Sequence, residues 1–376
     1  MRNFSRLILP VALLLSLLAG CSKNEEKAPL LLPDTGEQKS SYGIEIVATH
    51  LNVPWEIAFA DEGQIFFTER PGDIRLIRNG KLLKKPILSL SSPFISKGEG
   101  GLLGLALDPD YQENHYMYVY HTYQKKNEVL NRVLRILVEN DQAKIDKILL
   151  DGVSGNSNHN GGRIKIGPDG LLYITAGEKY EPELAQNKDS MGGKIFRINL
   201  DGTIPKDNPD PDSPVYSYGH RNPQGLAWHP KTGKLYSSEH GQTAYDEINL
   251  IEKGKNYGWP VIEGDEIKEG MVTPIVHSGH DTWAPSGMAF VTKGKWKNQL
   301  LVANLRGKQL LRIKLNENGT KAEIIDALFK EEFGRIRNVA EAPDGSIYLL
   351  TNNRDGRGVP GESDDQLIRL IPTDNE

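Results

Sequence analysis

The chain has 376 residues, a quarter of them charged, and a formal net charge of −5. With no basic excess to neutralise phosphates, the composition argues against nucleic acid as a partner. Glycine (38) and proline (22) are abundant, which favours many short strands joined by turns over a helical fold, although length alone would allow two domains.

In chain order, Arg2 and Arg6 precede the apolar run Leu7–Leu18, which leads into Ala19-Gly20-Cys21. A positive start, a short apolar stretch and a small-residue site are the signs of a signal peptide over 1–20, and the run is short for a bilayer span. Leu18-Ala19-Gly20-Cys21 resembles a bacterial lipobox, which implies that Cys21, the one cysteine, is lipidated and becomes the mature N-terminus. Ser22 after it favours the periplasmic face of the outer membrane by the same resemblance. An ordinary signal peptide with an incidental cysteine is the alternative. Residues 21–41 are polar and read as a flexible tether, and the folded domain is expected over 42–376.

From Tyr42 onward one pattern recurs: a short apolar stretch, a turn, then an apolar or aromatic strand. The copies start at Pro54, Gly101, Gly162, Gln224, Ser286 and Arg337. Their turn positions Asp61, Asp110, Asp169, Lys231, Lys293 and Asp344 are separated by steps of 49, 59, 62, 62 and 51 residues. Such a period predicts an all-β, six-bladed β-propeller with four-stranded antiparallel blades. Ile44–Thr49 has no copy of its own, so it is expected to pair with the last blade and close the ring. Segments of apolar–Arg–apolar form (Lys194-Ile195-Phe196-Arg197, Gln309-Leu310-Leu311-Arg312, Gln366-Leu367-Ile368-Arg369) read as outer strands with the arginine in solvent. The longest excursion is an insertion, Glu178–Met191.

Loops on one face of a propeller converge on a central mouth. Positions just before the innermost strands are Glu99, His159, Arg221-Asn222, Trp283 and Arg335/Arg337; the loops after the following strands add Glu178, His240-Gly241-Gln242 and Arg306. His159 with Glu178 suits a general base whose tautomer is held by a carboxylate. His220 and His240 fall one residue off the inward positions and read as structural. Arginines 221, 306, 335 and 337 at one mouth call for an anion, and planar forks suit carboxylates. Asp246-Glu247, near exposed loop carbonyls, suits an oxygen-ligated Ca²⁺, though the spacing is no EF-hand. HExxH, a G-x-S-x-G elbow and a dinucleotide fingerprint in a βαβ setting are absent.

Gly98–Tyr111, His159–Glu178, Tyr218-Gly219-His220-Arg221-Asn222-Pro223-Gln224-Gly225, Ser238–Ile251 with Asn256-Tyr257-Gly258-Trp259-Pro260, and Gly334–Thr351 together resemble the soluble pyrroloquinoline quinone (PQQ) dependent sugar dehydrogenases. The aldose sugar dehydrogenase branch is nearest, with soluble glucose dehydrogenase further off. The resemblance implies PQQ over the mouth, Ca²⁺ bridging protein and quinone, and oxidation of an aldose at C1 to the lactone. His159 matches the general base, Glu178 its acidic support, Arg221 the arginine beside the quinone oxygens, with Asn222 following it. Glu99 matches a cofactor contact, and Arg306, Arg335 and Arg337 match holders of the PQQ carboxylates. The carbonyls of Gly241 and Gln242 match calcium ligands, with Asp246 beneath them; Glu247 and the Tyr257 carbonyl match a second Ca²⁺ site. Relative to the glucose dehydrogenase, Glu178 replaces aspartate, Glu99 glutamine, Arg306 lysine and Gln242 proline. Expected partners are an aldose substrate and an external electron acceptor, a quinone or redox protein. Membrane attachment would be through the lipid alone, with the protein a monomer or homodimer. The alternatives are a calcium-dependent propeller lactonase and a non-enzymatic, surface-anchored binding module.

Overall fold

The structure, a computed structural model, describes Met1 and residues 42–60 and 63–372. The expected signal peptide, Cys21 and the tether lie outside the described residues, as does the turn residue Asp61. The chain opens with β1 (Tyr42–Ala48) and then lays down blade after blade. The first blade holds β2 (Pro54–Ala60), β3 (Gln64–Glu69) and β4 (Asp73–Arg78). Its fourth place is shared by two short strands, β5 (Lys81–Leu82) and β6 (Leu88–Ser89), which both pair β4. The second holds β7 (Leu102–Leu107), helix α1 (Tyr111–Asn114), β8 (Tyr116–Lys125), β9 (Glu128–Glu139) and β10 (Gln142–Ser154). The third holds β11 (Ile164–Ile166), β12 (Leu172–Ala176), helix α2 (Glu183–Gln186) in the insertion, β13 (Lys194–Ile198) and β14 (Val215–Tyr218). The fourth is β15 (Pro223–Trp228), β16 (Leu235–Glu239), β17 (Glu247–Ile251) and β18 (Val276–His277). The fifth is β19 (Pro285–Phe290), β20 (Leu300–Asn304), β21 (Gln309–Leu315) and β22 (Ala322–Leu328).

The sixth blade contains β23 (Ile336–Glu341), β24 (Ile347–Thr351) and β25 (Leu367–Pro372), and its outer place is taken by β1, antiparallel to β25 from Tyr42↔Pro372 inward. The expected six-bladed ring with its N-terminal closure is therefore the observed fold. One expectation is corrected: the apolar–Arg–apolar strands β13, β21 and β25 are third strands, each covered by a fourth. Their arginines are accordingly drawn into ion pairs. Arg197 is buried between Asp169 and Asp207, Arg312 pairs Asp326, and Arg369 joins Glu45 to Asp344.

The second strands are the most buried: β12, β16, β20 and β24 are buried along their whole length. A blade is flanked by a blade on both sides, so its middle strands carry β-branched and aromatic residues on both faces. Among the described residues the apolar core accordingly separates into six clusters, one per seam. That between blades two and three joins Leu103, Tyr118 and Val133 to Ile164, Ile174 and Phe196. Each such fully buried large side chain contributes about 1.5–3 kcal/mol.

The axis itself is polar. Glu56, Arg163 and Asn338 project into it from blades one, three and six, all fully buried. Arg163 pairs Glu56 and also donates from Nε to Gln224 O at 2.7 Å; Asn338 Nδ2 donates to Glu56 Oε1 at 2.5 Å, and Lys165 Nζ lies 3.4 Å from the same oxygen. Burial pushes the Glu56 carboxyl up, but Arg163 and Lys165 pull it further down, to a net value below the ordinary one. The corresponding positions of the other three blades are Gly104, Gly225 and Gly287. A Cβ there would collide with Gly162 O, Ser286 O and the Asn338 side chain, so three absent side chains make room for three large ones.

Removing one member of a buried ion pair strands its partner, at a cost of about 3–5 kcal/mol. Glu56→Gln is expected to lower unfolding stability by that amount in urea titrations. Glu56→Gln combined with Arg163→Met should lose markedly less than the sum of the two single losses; strict additivity would contradict an axial pair.

Candidate active site at the mouth of the ring

The loop Asn156–Asn160 is tied into shape by its own side chains. Asn160 Oδ1 accepts the Asn156 N–H at 3.1 Å, and Asn160 Nδ2 donates to Asn156 O at 2.9 Å. His159 follows in the left-handed region, φ 54°, which is uncommon for a non-glycine residue and is retained only where the surroundings hold it. They do so on two sides. Its N–H donates to Glu99 Oε2 at 3.0 Å, and its Nδ1 lies 3.0 Å from both carboxylate oxygens of Glu178. Gly177 lets the strand end pass beneath: a Cβ there would strike His159 O. With the carboxylate as acceptor, Nδ1 carries the hydrogen and Nε2 keeps the lone pair. His159 and Glu178 are both buried.

Glu178 is also bonded through its main chain: its N–H donates to Arg221 O at 2.9 Å, joining the third blade to the fourth. Arg221 has its own N–H on Glu239, its Nη1 3.3 Å from His240 O, and its guanidinium 5.2 Å from the Trp259 ring. Asn222 Oδ1 accepts the Gly161 N–H at 3.0 Å. Arg335 pairs Asp355 at 2.7 Å. Arg337 reaches deeper, to Gln224 Oε1 at 2.7 Å and Asn352 Oδ1 at 3.1 Å, and burial lowers it to about 9. The two guanidinium groups thus serve different partners, Arg335 the loop after β24 and Arg337 the innermost strand of blade four. Arg306 sits exposed on the turn after β20.

Three further groups come from loops the sequence reading passed over. Arg70 directly follows β3, and its Nη2 lies 3.4 Å from Asp355 O. Asp355 and Arg357 follow β24; Arg357 bridges Glu99 on the second blade and Asn158 Oδ1, at 2.8 Å, on the third. These are the loops after the second strands of blades one and six, the rule that yielded Glu178, His240 and Arg306. Applied to every blade, it would have found them. Burial raises the Glu99 carboxyl, but Arg357 and His240 outweigh it and hold it at about 2. The mouth therefore gathers Arg70, Arg221, Arg335, Arg337 and Arg357 around Glu99, Glu178 and Asp355, with Glu239 and Asp246 behind Arg221.

Several buried donors there have no acceptor: Arg70 Nε, Arg221 Nε, Asn222 Nδ2 and Trp259 Nε1. An unpaired buried donor costs about 1–3 kcal/mol, so the mouth is built to receive a ligand rich in acceptors and negative charge. His240 Nε2 is also unpartnered, and burial, with Arg221 and Arg337 nearby, lowers the ring to about 3. This neutral imidazole, expected to be structural, offers one more polar edge to the mouth.

The Gly241–Gln242 turn is oriented from below. Gly241 N–H donates to Asp246 Oδ1 at 2.9 Å and Gln242 N–H to Glu263 Oε1 at 3.1 Å. A trans peptide opposes its N–H and C=O, so Gly241 O is directed away from Glu263. Asp246 also accepts the N–H groups of Trp283 and Ala284, at 2.6 and 2.8 Å, and acts as the brace of this turn. Among the described residues no cluster of three or more His, Cys, Asp or Glu side chains is arranged to hold a metal ion, so a cation at this turn would draw on main-chain carbonyls. Glu247 faces Glu239 across the β16–β17 ladder. Burial, then the Glu239 charge, pushes Glu247 up to about 8. Two facing carboxyl groups, one buried and one half-buried, make a fitting seat for a cation. Tyr257 packs nearby, its ring stacked on His220 at 4.7 Å. His220 is structural as expected, held by Glu239 and Ser217 at 2.9 and 2.8 Å.

The chain matches the family model for glucose/sorbosone dehydrogenase over residues 51–369. It is 30% identical to the aldose sugar dehydrogenase YliI of Escherichia coli K12, covering 89% of this chain and 94% of that protein. It is likewise 30% identical to quinoprotein glucose dehydrogenase B of Acinetobacter calcoaceticus, covering 86% and 88%. Among solved structures, the PQQ-bound aldose sugar dehydrogenase of Streptomyces coelicolor superposes with a TM-score of 0.80 at 37% identity, over 88% of this chain and 98% of that one.

A carboxyl whose folded pKa is raised keeps its proton while the unfolded chain has already released its own. Stability then falls as pH rises from the ordinary value, 4.5, to about 8. In chelator, Glu247→Gln is expected to equal wild type near pH 4.5 and to exceed it at pH 8 by a few kcal/mol, on the order of what such a shift implies. Identical pH–stability curves for the two proteins would contradict the protonated state of Glu247.

Proposed function

The chain belongs to the glucose/sorbosone dehydrogenase family, and on that premise we propose that it oxidises aldose sugars at C1 to the lactone, with PQQ and Ca²⁺ as cofactors. The observation that carries this reading is the histidine–carboxylate pair set beside an arginine-rich mouth with unsatisfied donors. Arg70, Arg335 and Arg337, with Arg306 at the rim, would hold the carboxylates of PQQ, Arg221 would serve its quinone oxygens, and Asn222, Glu99 and the Trp259 indole would border it. The carbonyls of Gly241 and Gln242, braced by Asp246, would ligate Ca²⁺, with Glu247 and the Tyr257 carbonyl forming a second site. Bound there, PQQ supplies the hydride acceptor and Ca²⁺ the Lewis acid that polarises it.

The protein's own part is proton transfer and charge stabilisation. His159 Nε2 takes the proton of the C1 hydroxyl as the C1–H bond is broken, leaving a C1 carbonyl, which in the ring form is the lactone. Glu178 holds Nδ1–H and stabilises the imidazolium that forms. The unpaired Arg221 Nε donates to oxygen charge as it develops, in a buried setting where such a bond is strong. In this reading residues 1–20 are a signal peptide, lipidated Cys21 and the tether over 21–41 fasten the catalytic domain 42–376 to the periplasmic face of the outer membrane, and electrons leave to a quinone or redox protein.

Addition of PQQ and Ca²⁺ to the apoprotein should give a quinone absorbance that bleaches with aldoses. His159→Ala should still bind PQQ, with turnover reduced about 10²–10⁴-fold, the usual share of a general base. No PQQ absorbance in wild type, or near-normal dye-linked oxidation by His159→Ala, would overturn the reading.

A further inference from the structure

Tyr180 occupies a position that the roles above leave unused. Its ring centroid lies 4.0 Å from that of His159, at an interplanar angle of 41°. His159 is 5% exposed and Tyr180 55%, so the phenol stands on the solvent side of the base. Its placement is enforced. Lys179 and Tyr180 are both left-handed, at φ 54° and 67°, although neither is glycine. Tyr180 N–H donates to Glu178 Oε2 at 2.5 Å, Lys179 N–H to His159 O at 3.3 Å, and Asn156 Nδ2 to Lys179 O at 2.9 Å. One carboxylate thus fixes both the base and the aromatic ring. A strained backbone held by several bonds, presenting a large ring to water beside a reactive group, is the pattern of a functional position.

We propose that Tyr180 is a specificity-determining residue: it is the platform on which the outward face of a pyranose packs while the C1 hydroxyl meets His159. This rests on the dehydrogenase reading. The C1–H bond to be broken must face inward, toward the arginine-lined floor. In a β-aldopyranose chair that hydrogen is axial, so the opposite face turns outward, to Tyr180. In glucose this outward face carries only axial hydrogens, at C2 and C4, and lies flat on an aromatic ring. In mannose the C2 hydroxyl, and in galactose the C4 hydroxyl, is axial on this same face. Either would hold the sugar off the ring and meet it with an unpaired polar group. The site therefore favours aldoses with equatorial hydroxyls at C2 and C4.

The test compares wild type, Tyr180→Phe and Tyr180→Ala, each loaded with PQQ and Ca²⁺ and checked for cofactor occupancy by absorbance. KM and kcat are measured for glucose, galactose and mannose. Tyr180→Ala should raise KM for glucose about tenfold, with kcat within about threefold, and should shift galactose and mannose far less, so that selectivity collapses. Tyr180→Phe should retain the preference. Saturation-transfer NMR on the fully reduced enzyme should mark glucose H2 and H4 over H1, H3 and H5, and lose that pattern in Tyr180→Ala. An unchanged KM ratio in Tyr180→Ala, a fall in kcat with KM constant, or equal saturation of both sugar faces would overturn the inference alone. Wild type that binds no PQQ would overturn the functional reading and this inference with it.

Discussion

Six strands can meet around one axis only if the space between them is filled without crowding, and the Glu56–Arg163 pair is what fills it here. The two side chains come from blades one and three and are joined by Asn338 from blade six. Arg163 extends the contact to the main chain of Gln224 on blade four. Four of the six blades are thereby fixed relative to one another at the centre, while glycine on the other innermost strands lets their main chains approach. Gln224 and Ser286, which meet this column, also receive Arg337. The floor of the mouth is thus continuous with the axial column, and its geometry is inherited from the way the ring packs.

Glu178 is the corresponding hub at the surface of the site. Its carboxylate serves the His159 imidazole and the Tyr180 main chain, and its amide is bonded to Arg221 O. Base, aromatic rim and the next blade's arginine consequently move as one body. Burying so many cationic donors has a cost, seen in the affinity of Arg337 for its proton, lowered chiefly by burial, and in donors left without acceptors. Such costs are tolerated where a ligand relieves them.

The ring was legible because a turn between two apolar strands recurs at a similar spacing in every copy, and the unmatched Ile44–Thr49 had one free edge to join. The His159–Glu178 pair was legible because both residues end the same hairpin. Other features depend on contacts across blades, which local pattern does not record. Arg197 looked solvent-facing until a fourth strand and Asp207 closed over it. Glu56 and Arg163 stand 107 positions apart, and nothing near either one signals a buried pair. Arg357 is tied to residues 199 and 258 positions away. Tyr180 fell within a loop of mixed polarity, and its value comes from two left-handed residues that sequence does not mark.

The closing strand has a mechanical side. β1 lies on the rim of the sixth blade, and its antiparallel ladder begins at Tyr42↔Pro372. Tension entering through the preceding chain would load this ladder at one end, so that bonds open singly, like a zipper, instead of sharing the force in shear. The first described residue to feel the pull is Tyr42, whose ring packs at a tilt against Trp296 of the fifth blade, with centroids 4.1 Å apart. Trp296 is in turn covered by Arg312 at 5.3 Å. The end of the zipper is thereby riveted to a neighbouring blade, and a tug on the N-terminus is spread into two blades before the ring can open.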